Sequence, residues 1–486
     1  MSLLFEWLAN AVRDRAGSGG SGHAIIYHDT YLSWRGLLHR VERRARELAA
    51  MGIVADDWVG LMLGNDPELV VLALALSKLE AVIVPIDPTT GGRDLDMTVE
   101  SAPLRAIVTR PNAIDPLAAP AGTLRMARQV HVHVPRVTPE SRHRVSGTLL
   151  SCTLYPWSRP TLTGATRPEV VLFTLDSGGD PKAVVRGAGQ LGGIAATLSK
   201  AFGTSGQSNV LCAAPLFDSQ GFDFGLVAAL SVGATLYLDD STAGPRMAKV
   251  LLDQRIDLCA TTARDCALLA RSSSAKPLHP TTHLVCSGVP LPSALAAAFR
   301  QRFSVPVLSC YHSCESGPVT LDMAGQHPES VGKALPGVEI RVASDDQAGG
   351  GAGPIWVRGA GVATTFLPPL PTRAEIVPVG RSASDGWLRT GDVGYLRPDQ
   401  RLVLTHREDD IVRIDRHRVA LGEIESCIEA LADVKAAQAH VEYDDSGSSQ
   451  IVVRVTPSGR WTQSAMLDHC ARQLAPHKVP KRIDIE

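Results

Sequence analysis

The segment best suited to chemistry is a Ser- and Gly-rich loop that ends in a lysine. It reads Val170-Val-Leu-Phe-Thr174-Leu-Asp-Ser177-Gly-Gly-Asp-Pro-Lys182, so a β-branched strand runs directly into the loop. Glycines let backbone N–H groups approach phosphate oxygens, hydroxyl groups donate further hydrogen bonds, and a lysine supplies positive charge. The pattern therefore indicates a phosphate-binding loop. On its own, however, a Ser-Gly-Gly stretch is more often a surface turn between a strand and a helix.

Two later segments carry side chains suited to binding a nucleotide. In Cys310–Gly317, which follows a strand, the carboxylate of Glu315 suits magnesium and the ring of Tyr311 suits a stacked base. In Leu388–Gly394, Asp392 stands on a turn where its carboxylate can accept two ribose hydroxyl groups. Taken singly, a core tyrosine and a Gly-Asp turn are the more ordinary explanations, so only the combination of segments is informative.

The elements that must position these residues are strands alternating with helices. Helical and extended signals alternate over residues 30–110, and the same rhythm returns over residues 209–238 and 283–311. Such alternation predicts a layered α/β fold built on a parallel sheet. The first predicted elements are a helix over Trp34–Met51, a strand over Trp58–Leu63, a helix over Pro67–Leu79 and a strand over Ala81–Ile86.

The sequence pattern changes after about residue 330. Short extended runs separated by Gly, Pro and Asp predict a β-rich subdomain there. The charged run Arg407–Arg413 follows and is a candidate hinge, although a solvated charged surface is its ordinary explanation. Residues 409–486 then predict a small α+β domain, with helices Gly422–Leu431 and Ser464–Leu474 and strands Ala436–Tyr443 and Ile451–Thr456.

Composition excludes several classes of function. The 486 residues include 48 Lys and Arg against 50 Asp and Glu, and this net charge of −2 offers no basic surface to nucleic acid. The longest apolar run, Leu69–Leu76, falls short of the ~20 residues of a membrane-spanning helix. Glu6 stands where a secretory signal carries positive charge, so a cytoplasmic protein is expected. Nine cysteines without a Cys-x-x-Cys motif predict free buried thiols.

In this order and spacing, the four segments resemble those of the adenylate-forming superfamily. That superfamily contains acyl- and aryl-CoA synthetases, peptide-synthetase adenylation domains and luciferases. The resemblance covers nearly the whole chain. Further matches are Trp58-Val-Gly-Leu-Met-Leu-Gly-Asn65, Ala81-Val-Ile-Val-Pro-Ile-Asp-Pro88, Pro215-Leu-Phe-Asp-Ser-Gln-Gly221, Ser287-Gly-Val-Pro-Leu291, Val331-Gly-Lys-Ala-Leu-Pro-Gly337 and Gly422-Glu-Ile-Glu425.

The resemblance implies an α/β fold of two domains. Residues 1–408 would form a large N-terminal adenylate-forming domain of layered α/β sheets plus the β-rich subdomain. Residues 409–486 would form a small, mobile α+β lid that hinges near Asp409.

The resemblance also implies a reaction. A carboxylic acid attacks the α-phosphate of ATP, with magnesium present, and yields an acyl-adenylate and pyrophosphate. A thiol of coenzyme A, or the phosphopantetheine of an acyl carrier protein, then takes the acyl group. Cations and hydrogen-bond donors stabilise the charge that develops at phosphorus.

The resemblance assigns a role to each candidate residue. The residues expected to line the phosphates of ATP are Thr174, Ser177, Gly178, Gly179 and Lys182. Glu315 is expected to hold magnesium and Tyr311 to stack on adenine, while Asp392 and Arg407 would bind the ribose. The expected catalytic residues are Lys182, Glu315 and Arg407.

Several positions depart from the family pattern. Asp176 and Asp180 stand in the phosphate loop, where their carboxylates would repel the triphosphate of ATP unless they point away. One pair of like unit charges about 4 Å apart costs about 4 kcal/mol at an effective dielectric constant of about 20. Cys314 replaces a threonine that would touch the α-phosphate, and a thiol is the poorer donor. Arg416 replaces a glycine beside the tunnel for the pantetheine arm. The sequence stops within the predicted strand Arg482–Glu486, before the lysine of the family's final motif, which favours truncation over true absence of that lysine.

The dipeptide Phe217-Asp218 bears on the class of acid that the protein would bind. At the position of Asp218, acyl- and aryl-CoA ligases usually have histidine, whereas peptide-synthetase adenylation domains have aspartate and pair it with the substrate's amino group. A carboxylate facing an ammonium group makes a charge-assisted contact, which favours an amino acid or an aminobenzoate. A helix cap is the equally weighted alternative, because aspartate is a favoured N-cap. Phe222, Phe224 and Gly288 are expected in the pocket wall.

Three functions follow from these residues. The first is an ATP-dependent ligase that joins a carboxylic acid to a thiol of coenzyme A or a carrier protein, favoured by the intact Lys182, Glu315, Asp392 and Arg407. The second is a degenerate relative that does not adenylate but transfers a preformed acyl or aryl group from coenzyme A to a carrier protein, or only binds it. Cys314 and the altered phosphate loop favour this alternative. The third is a scaffold that keeps the fold for interactions.

Overall fold

Helices and strands alternate through the first two thirds of the chain, as predicted. The computed structural model describes residues 2–16, 22–90, 95, 97–98, 102, 104–110, 128–134, 148–154, 167–175, 181–239, 244–271, 277–287, 291–343, 351–367, 377–378, 386–407, 411–414, 417–443, 449–457, 459 and 461–485. The strands up to residue 321 are β1 (His23–Tyr27), β2 (Thr30–Ser33), β3 (Trp58–Met62), β4 (Val82–Pro85), β5 (Leu104–Thr109), β6 (Arg128–Val134), β7 (Thr148–Leu154), β8 (Val170–Leu175), β9 (Pro181–Arg186), β10 (Asn209–Cys212), β11 (Thr235–Leu238), β12 (Leu258–Thr261), β13 (His283–Cys286), β14 (Val307–Ser313) and β15 (Gly317–Leu321). The helices are α1 (Leu3–Ala16), α2 (Trp34–Ala50), α3 (Pro67–Lys78), α4 (Ala188–Phe202), α5 (Ser219–Gly221), a π-helix over Phe222–Val227, α6 (Ala228–Val232), α7 (Gly244–Asp253), α8 (Ala263–Ala270) and α9 (Ser293–Phe303).

Strands dominate the next part of the chain, and a small α+β region follows. The strands are β16 (Lys333–Ala334), β17 (Val338–Val342), β18 (Gly353–Gly359), β19 (Thr365–Leu367), β20 (Val377–Pro378), β21 (Leu388–Leu396) and β22 (Leu402–Arg407). The C-terminal elements are β23 (Ile411–Ile414), β24 (His417–Ala420), α10 (Leu421–Glu429), β25 (Val434–Tyr443), β26 (Ser449–Pro457), α11 (Gln463–Gln473), a 3₁₀ turn over Pro476–Lys478 and β27 (Arg482–Ile485). These bounds lie close to the predicted ones.

The described strands form two nine-stranded sheets with helices between and around them. One has the order β16-β15-β14-β13-β12-β10-β11-β1-β2 and the other β20-β19-β9-β8-β4-β3-β5-β7-β6. The central pairs are parallel, as between β12, β13 and β14 and between β3, β4 and β5. The largest hydrophobic cluster joins both sheets, with Val59 from β3 and Leu236 from β11. The predicted layered α/β architecture is therefore confirmed.

The remaining described strands form smaller units. The antiparallel sheet β17-β18-β21-β22 is the predicted β-rich subdomain, and its hydrophobic cluster also includes Tyr311 from β14 and Val319 from β15. The C-terminal strands form the pair β23-β24 and the sheet β25-β26-β27, on which α10 and α11 pack. The cluster beneath those helices takes its members only from residues 412–483. Residues 408–410, where the domain boundary and hinge are predicted, lie outside the described residues.

The apolar run Leu69–Leu76 belongs to a core helix. It lies in α3, which starts where the side chain of Asp66 accepts the N–H of Glu68 over 2.8 Å and Pro67 occupies the first turn. Every residue from Leu69 to Leu76 is buried, so the run is apolar because protein surrounds it on all sides. Among the described helices, none has the length and apolar character needed to cross a membrane.

The short helices α5 and α6 are separated by the π-helix Phe222–Val227. Gly221 precedes this wider turn, and a Cβ atom there would lie 2.1 Å from the carbonyl oxygen of Pro215. Only glycine permits this close approach of two backbone segments, so the conformation of the following turn depends on it.

Gly221→Ala is expected to destabilise the protein by about 1–3 kcal/mol, because backbone must move to admit the methyl group. Urea unfolding followed by circular dichroism measures the shift. Gly189→Ala, in the first turn of α4, is the matched control, because no atom lies within 4 Å of its Cβ position. Equal unfolding midpoints for the two variants would contradict the prediction.

Candidate active site

A cavity of about 390 Å³ lies at the carboxyl ends of the parallel strands β13 and β14. Open α/β sheets bind their ligands at such strand ends. Its wall combines residues of β14 with side chains from β21, β22 and the C-terminal region. The lining residues that bear on the chemistry are Cys286, Ser309–Ser313, Asp392, Arg407, Ile411–Arg413 and Tyr443.

Tyr311, Asp392 and Arg407 meet at one wall of this cavity. Asp392 and Arg407 face each other across the antiparallel strands β21 and β22, and Arg407 Nη1 donates to Asp392 Oδ1 over 2.8 Å. The hydroxyl group of Tyr311 donates to Asp392 Oδ2. Burial is the main cause that raises the pKa of Tyr311, and the Asp392 carboxylate is the second. The phenol therefore keeps the proton that it donates. The predicted ribose and adenine residues thus lie together.

Lys182 and Glu315 form a second charged pair. Lys182 lies opposite Thr174 in the antiparallel strands β8 and β9, and its Nζ is 3.6 Å from Glu315 Oε1. Glu315 follows β14 by two residues, so one strand carries Tyr311 in the cavity wall and Glu315 just beyond its end. The two side chains keep 25% and 16% of their surface exposed, so a ligand can reach them.

Cys314 and Phe222 lie in the main hydrophobic core. Their exposed fractions are 1% and 0%, respectively. Phe224 is also fully buried, and its ring centroid is 5.6 Å from that of His312, which lines the cavity. The predicted contacts of Cys314 with phosphate and of Phe222 with substrate therefore stay predictions.

The other predicted site residues lie outside the described residues. They are Ser177, Gly178, Gly179, Gly288, Asp409 and Arg416. The same is true of the two acidic residues of the phosphate loop, Asp176 and Asp180.

Asp218 contacts both a helix N-terminus and a cation. Its Oδ1 accepts the N–H of Gln220 over 2.8 Å, which makes it the N-cap of α5. Its Oδ2 accepts from Arg413 Nη2 over 3.0 Å, and both side chains are about nine-tenths buried. Arg413 was not predicted from the sequence, where its only signal is its place at the end of the charged run Arg407–Arg413. The aspartate therefore caps a helix and also holds a cation.

Two cavity thiols are unsuited to nucleophilic chemistry. Burial, with a smaller effect from Asp265, raises the pKa of Cys286 to about 12, although Arg413 acts in the opposite direction. Burial also raises the pKa of Cys310. Both thiols stay protonated at neutral pH, and only the thiolate is strongly nucleophilic. The cysteines whose side chains the structure describes are all free, as expected.

Arg186, Asp223 and His312 form a buried charged group that was not predicted from the sequence. Arg186 and Asp223 are fully buried and their side chains are 2.5 Å apart, while His312 Nε2 lies 2.9 Å from Asp223. The available signal was a charge inside an apolar run: Arg186 follows two valines, and Asp223 stands between two phenylalanines. Such residues need partners, because a buried unpaired charge is costly.

A family model described as AMP-binding enzyme matches residues 12–367. The chain belongs to this family of AMP-binding enzymes. It is 28% identical over 494 residues to novobiocin biosynthesis protein H of Streptomyces niveus, covering 99% of this chain and 78% of that protein. It is 24% identical over 495 residues to the indoleacetate–CoA ligase of Aromatoleum aromaticum, covering 99% and 93%. The structure of o-succinylbenzoate CoA synthetase from Bacillus subtilis with a product analogue matches with a TM-score of 0.77 at 18% identity, over 99% of this chain and 94% of that one.

The family and fold class predicted from the sequence are therefore confirmed. The prediction that the chain is an enzyme is confirmed as well, because the matched family consists of AMP-binding enzymes. The acyltransferase alternative is not favoured, because the similar proteins of known activity include CoA ligases.

Proposed function

We propose that this AMP-binding enzyme uses ATP to convert a carboxylic acid into an acyl- or aryl-adenylate and passes the acyl group to the thiol of coenzyme A or of a phosphopantetheinyl carrier protein. The observation that carries the proposal is the placement of two charged groups along β14. Asp392 and Arg407 meet Tyr311 in the cavity wall. Glu315 meets Lys182 just beyond the end of the same strand. The first group suits a nucleoside and the second suits its phosphates.

The proposed chemistry has two steps. A carboxylate oxygen of the acid attacks the α-phosphorus of ATP, the bond from that phosphorus to the bridging oxygen breaks, and pyrophosphate leaves. The sulfur of the thiol, after losing its proton, then attacks the acyl carbon, and AMP leaves as the thioester forms. Lys182 supplies positive charge where the phosphate oxygens gain negative charge.

Glu315 fits a magnesium ion that is held largely by phosphate oxygens. Protein sites usually hold magnesium through one or two carboxylates together with substrate phosphates. Within the described part of the chain, no group of three or more His, Cys, Asp or Glu side chains could hold a metal by itself. When bound, the ion would neutralise charge on the phosphates.

Asp392 is proposed to hold the ribose. Its oxygens already accept from Arg407 and from Tyr311, so the carboxylate is fixed in orientation before a nucleotide arrives. Each carboxylate oxygen can accept more than one hydrogen bond, so ribose hydroxyl groups can bind beside these partners. Tyr311, whose hydroxyl group is tied to Asp392, is proposed to present its ring to adenine.

An amino-bearing acid is the finer proposal for the substrate. Asp218 holds the cation of Arg413 over 3.0 Å, which shows that its environment accepts a positively charged donor. An ammonium group of the substrate can take the place of Arg413 when the C-terminal region moves. Asp218 would then select amino acids or aminobenzoates over acids without an amino group.

Asp218→Asn is expected to lower kcat/KM for 4-aminobenzoate or an amino acid by about 10- to 100-fold, because a hydrogen bond to a charged group contributes about 1.5–3 kcal/mol. Benzoate or propionate should lose much less. Asparagine still caps a helix, so this variant separates the charge from the cap. Pyrophosphate release with each matched pair of acids gives the answer, and equal losses within a pair would refute the amino-group proposal.

The C-terminal region, residues 409–486, is proposed to be a mobile lid hinged at Asp409. Its own hydrophobic cluster supports this proposal. Polar contacts join it to the large domain, including Arg413 with Asp218 and His417 Nδ1 with Asp87 Oδ2 over 3.2 Å. Such contacts can break and re-form without exposing a core. Arg416 would then stand beside the path of the incoming thiol.

ATP–pyrophosphate exchange with a panel of amino, aryl and fatty acids tests the proposed function. Exchange with one class of acid, followed by thioester formation with coenzyme A or a phosphopantetheinyl carrier, is the expected result. Absence of exchange with every acid, together with transfer of an acyl group from acyl-CoA to a carrier, would overturn it.

A further inference from the structure

Arg186, Asp223 and His312 form a hydrogen-bonded group inside the large domain. Arg186 Nη1 donates to Asp223 Oδ1 over 2.5 Å, and His312 Nε2 lies 2.9 Å from Asp223 Oδ2. A carboxylate has only acceptors, so His312 Nε2 carries the proton and donates. Arg186 Nη2 donates to the backbone carbonyl oxygen of Cys314 over 2.7 Å.

The group of Arg186, Asp223 and His312 is expected to contribute little to the stability of the fold. Burial alone would lower the pKa of Arg186, yet Asp223 keeps it above its usual value, so the guanidinium stays charged inside the protein. Arg186 Nε has no hydrogen-bond partner within the described structure, which adds a desolvation cost. Replacing a buried ion pair with apolar side chains is often neutral or stabilising. The geometry that the group imposes is therefore its more informative property.

Arg186, Asp223 and His312 each lie near a residue of the proposed site, either along the chain or through a hydrogen bond. Arg186 is four residues after Lys182 on β9, and because side chains alternate along a strand, both lie on the same face. The carbonyl group that Arg186 holds belongs to Cys314, the residue before Glu315. The Lys182–Glu315 pair and the Arg186–Cys314 hydrogen bond are thus two links between the same strand and the same turn.

The other two members extend these links to the cavity. His312 lines the cavity and follows Tyr311 on β14. Asp223 lies in the π-helix that follows the short helix capped by Asp218. Arg186 therefore reaches, through Asp223, both the strand that carries Tyr311 and the segment that carries Asp218.

We propose that Arg186 is a positioning residue that holds the Cys314–Glu315 turn at a fixed distance from Lys182 and so sets the geometry of the metal and phosphate site. This role rests on the proposed function of that site. Arg186 touches no substrate itself. Its direct hydrogen bond to this turn is to the residue before Glu315, so its effect should be largest for ligands that engage Glu315 and Lys182, whereas AMP without magnesium would be held mainly through Asp392.

The test compares the binding of MgATP and of AMP without magnesium to the full chain by titration calorimetry. The double variant Arg186→Met with Asp223→Asn removes both charges, so neither is left buried without a partner, and it is expected to fold. Its Kd for MgATP should rise by about 10- to 100-fold, as for lost support of a metal ligand, while its Kd for AMP changes by less than about twofold. Arg358→Met with Glu339→Gln removes an exposed Arg–Glu pair and should change neither value.

If Arg186 has a purely structural role, the double variant should bind MgATP and AMP both more weakly, or should bind both as the wild type does. Either result would overturn the assignment of Arg186. Pyrophosphate release by the wild-type enzyme with the panel of acids is measured separately. Its absence would overturn the proposed function, whereas selective loss of MgATP affinity in the double variant would still support the positioning role.

Discussion

Lys182→Met is expected to slow acyl-adenylate formation by about 100- to 1,000-fold, since one donor aimed at developing charge contributes about 2.7–4 kcal/mol. Methionine has a similar length but no charge. The affinity for ATP should fall much less, because Lys182 acts mainly where negative charge grows in the transition state. Lys182 is only 3.6 Å from Glu315, so its ammonium group stands beside the proposed magnesium ligand. Single-turnover measurement of pyrophosphate release, without a thiol acceptor, isolates this step.

Lys249→Met is the matched control for this variant. Lys249 is an exposed lysine on α7, and its replacement should leave the single-turnover rate unchanged. A rate for Lys182→Met within about threefold of the wild type would show that Lys182 does not face the reacting phosphate. A loss confined to ATP affinity would assign it to ground-state binding instead.

Asp392→Asn is expected to weaken AMP binding by about 100-fold or more, because the carboxylate would hold the ribose through two charge-assisted hydrogen bonds of about 1.5–3 kcal/mol each. Asparagine keeps the size of the side chain but loses the charge that holds Arg407 over 2.8 Å. Its amide can still accept from Tyr311, so the local fold should persist. Calorimetric titration with AMP, and then with ATP, measures the effect.

Asp399→Asn serves as the control for Asp392. Asp399 is an exposed aspartate between β21 and β22, where it pairs with Arg401, and its replacement should leave AMP affinity unchanged. Wild-type AMP affinity in Asp392→Asn would show that the nucleoside does not bind through this carboxylate. The role proposed for Arg407 would then fall as well.

The helices and strands were largely predictable because their signals are local. The helix α2 begins and ends within one residue of the prediction, since its apolar residues repeat at helical spacing and Ser33 caps it. The strand β3 was predictable as a buried apolar run. The interruption after Gly221 was not, because the close contact with Pro215 depends on a loop that precedes the helix.

The candidate site was predictable in part. Resemblance to a family predicted that Asp392, Arg407 and Tyr311 serve one nucleotide, and the structure brings them into contact. It did not predict that Asp218 would hold Arg413, a residue 195 positions away along the chain. No sequence periodicity relates two residues so far apart.

The sequence by itself determined the family and the layered α/β class, because motif spacing and hydrophobic period are properties of short segments. Tertiary structure alone decided how those segments meet. The contact between Arg186 and the turn before Glu315 exists because β9 and the end of β14, from two different sheets, converge there. The placement of buried charges depends on which strands the fold brings together, and that pairing is a property of the whole chain.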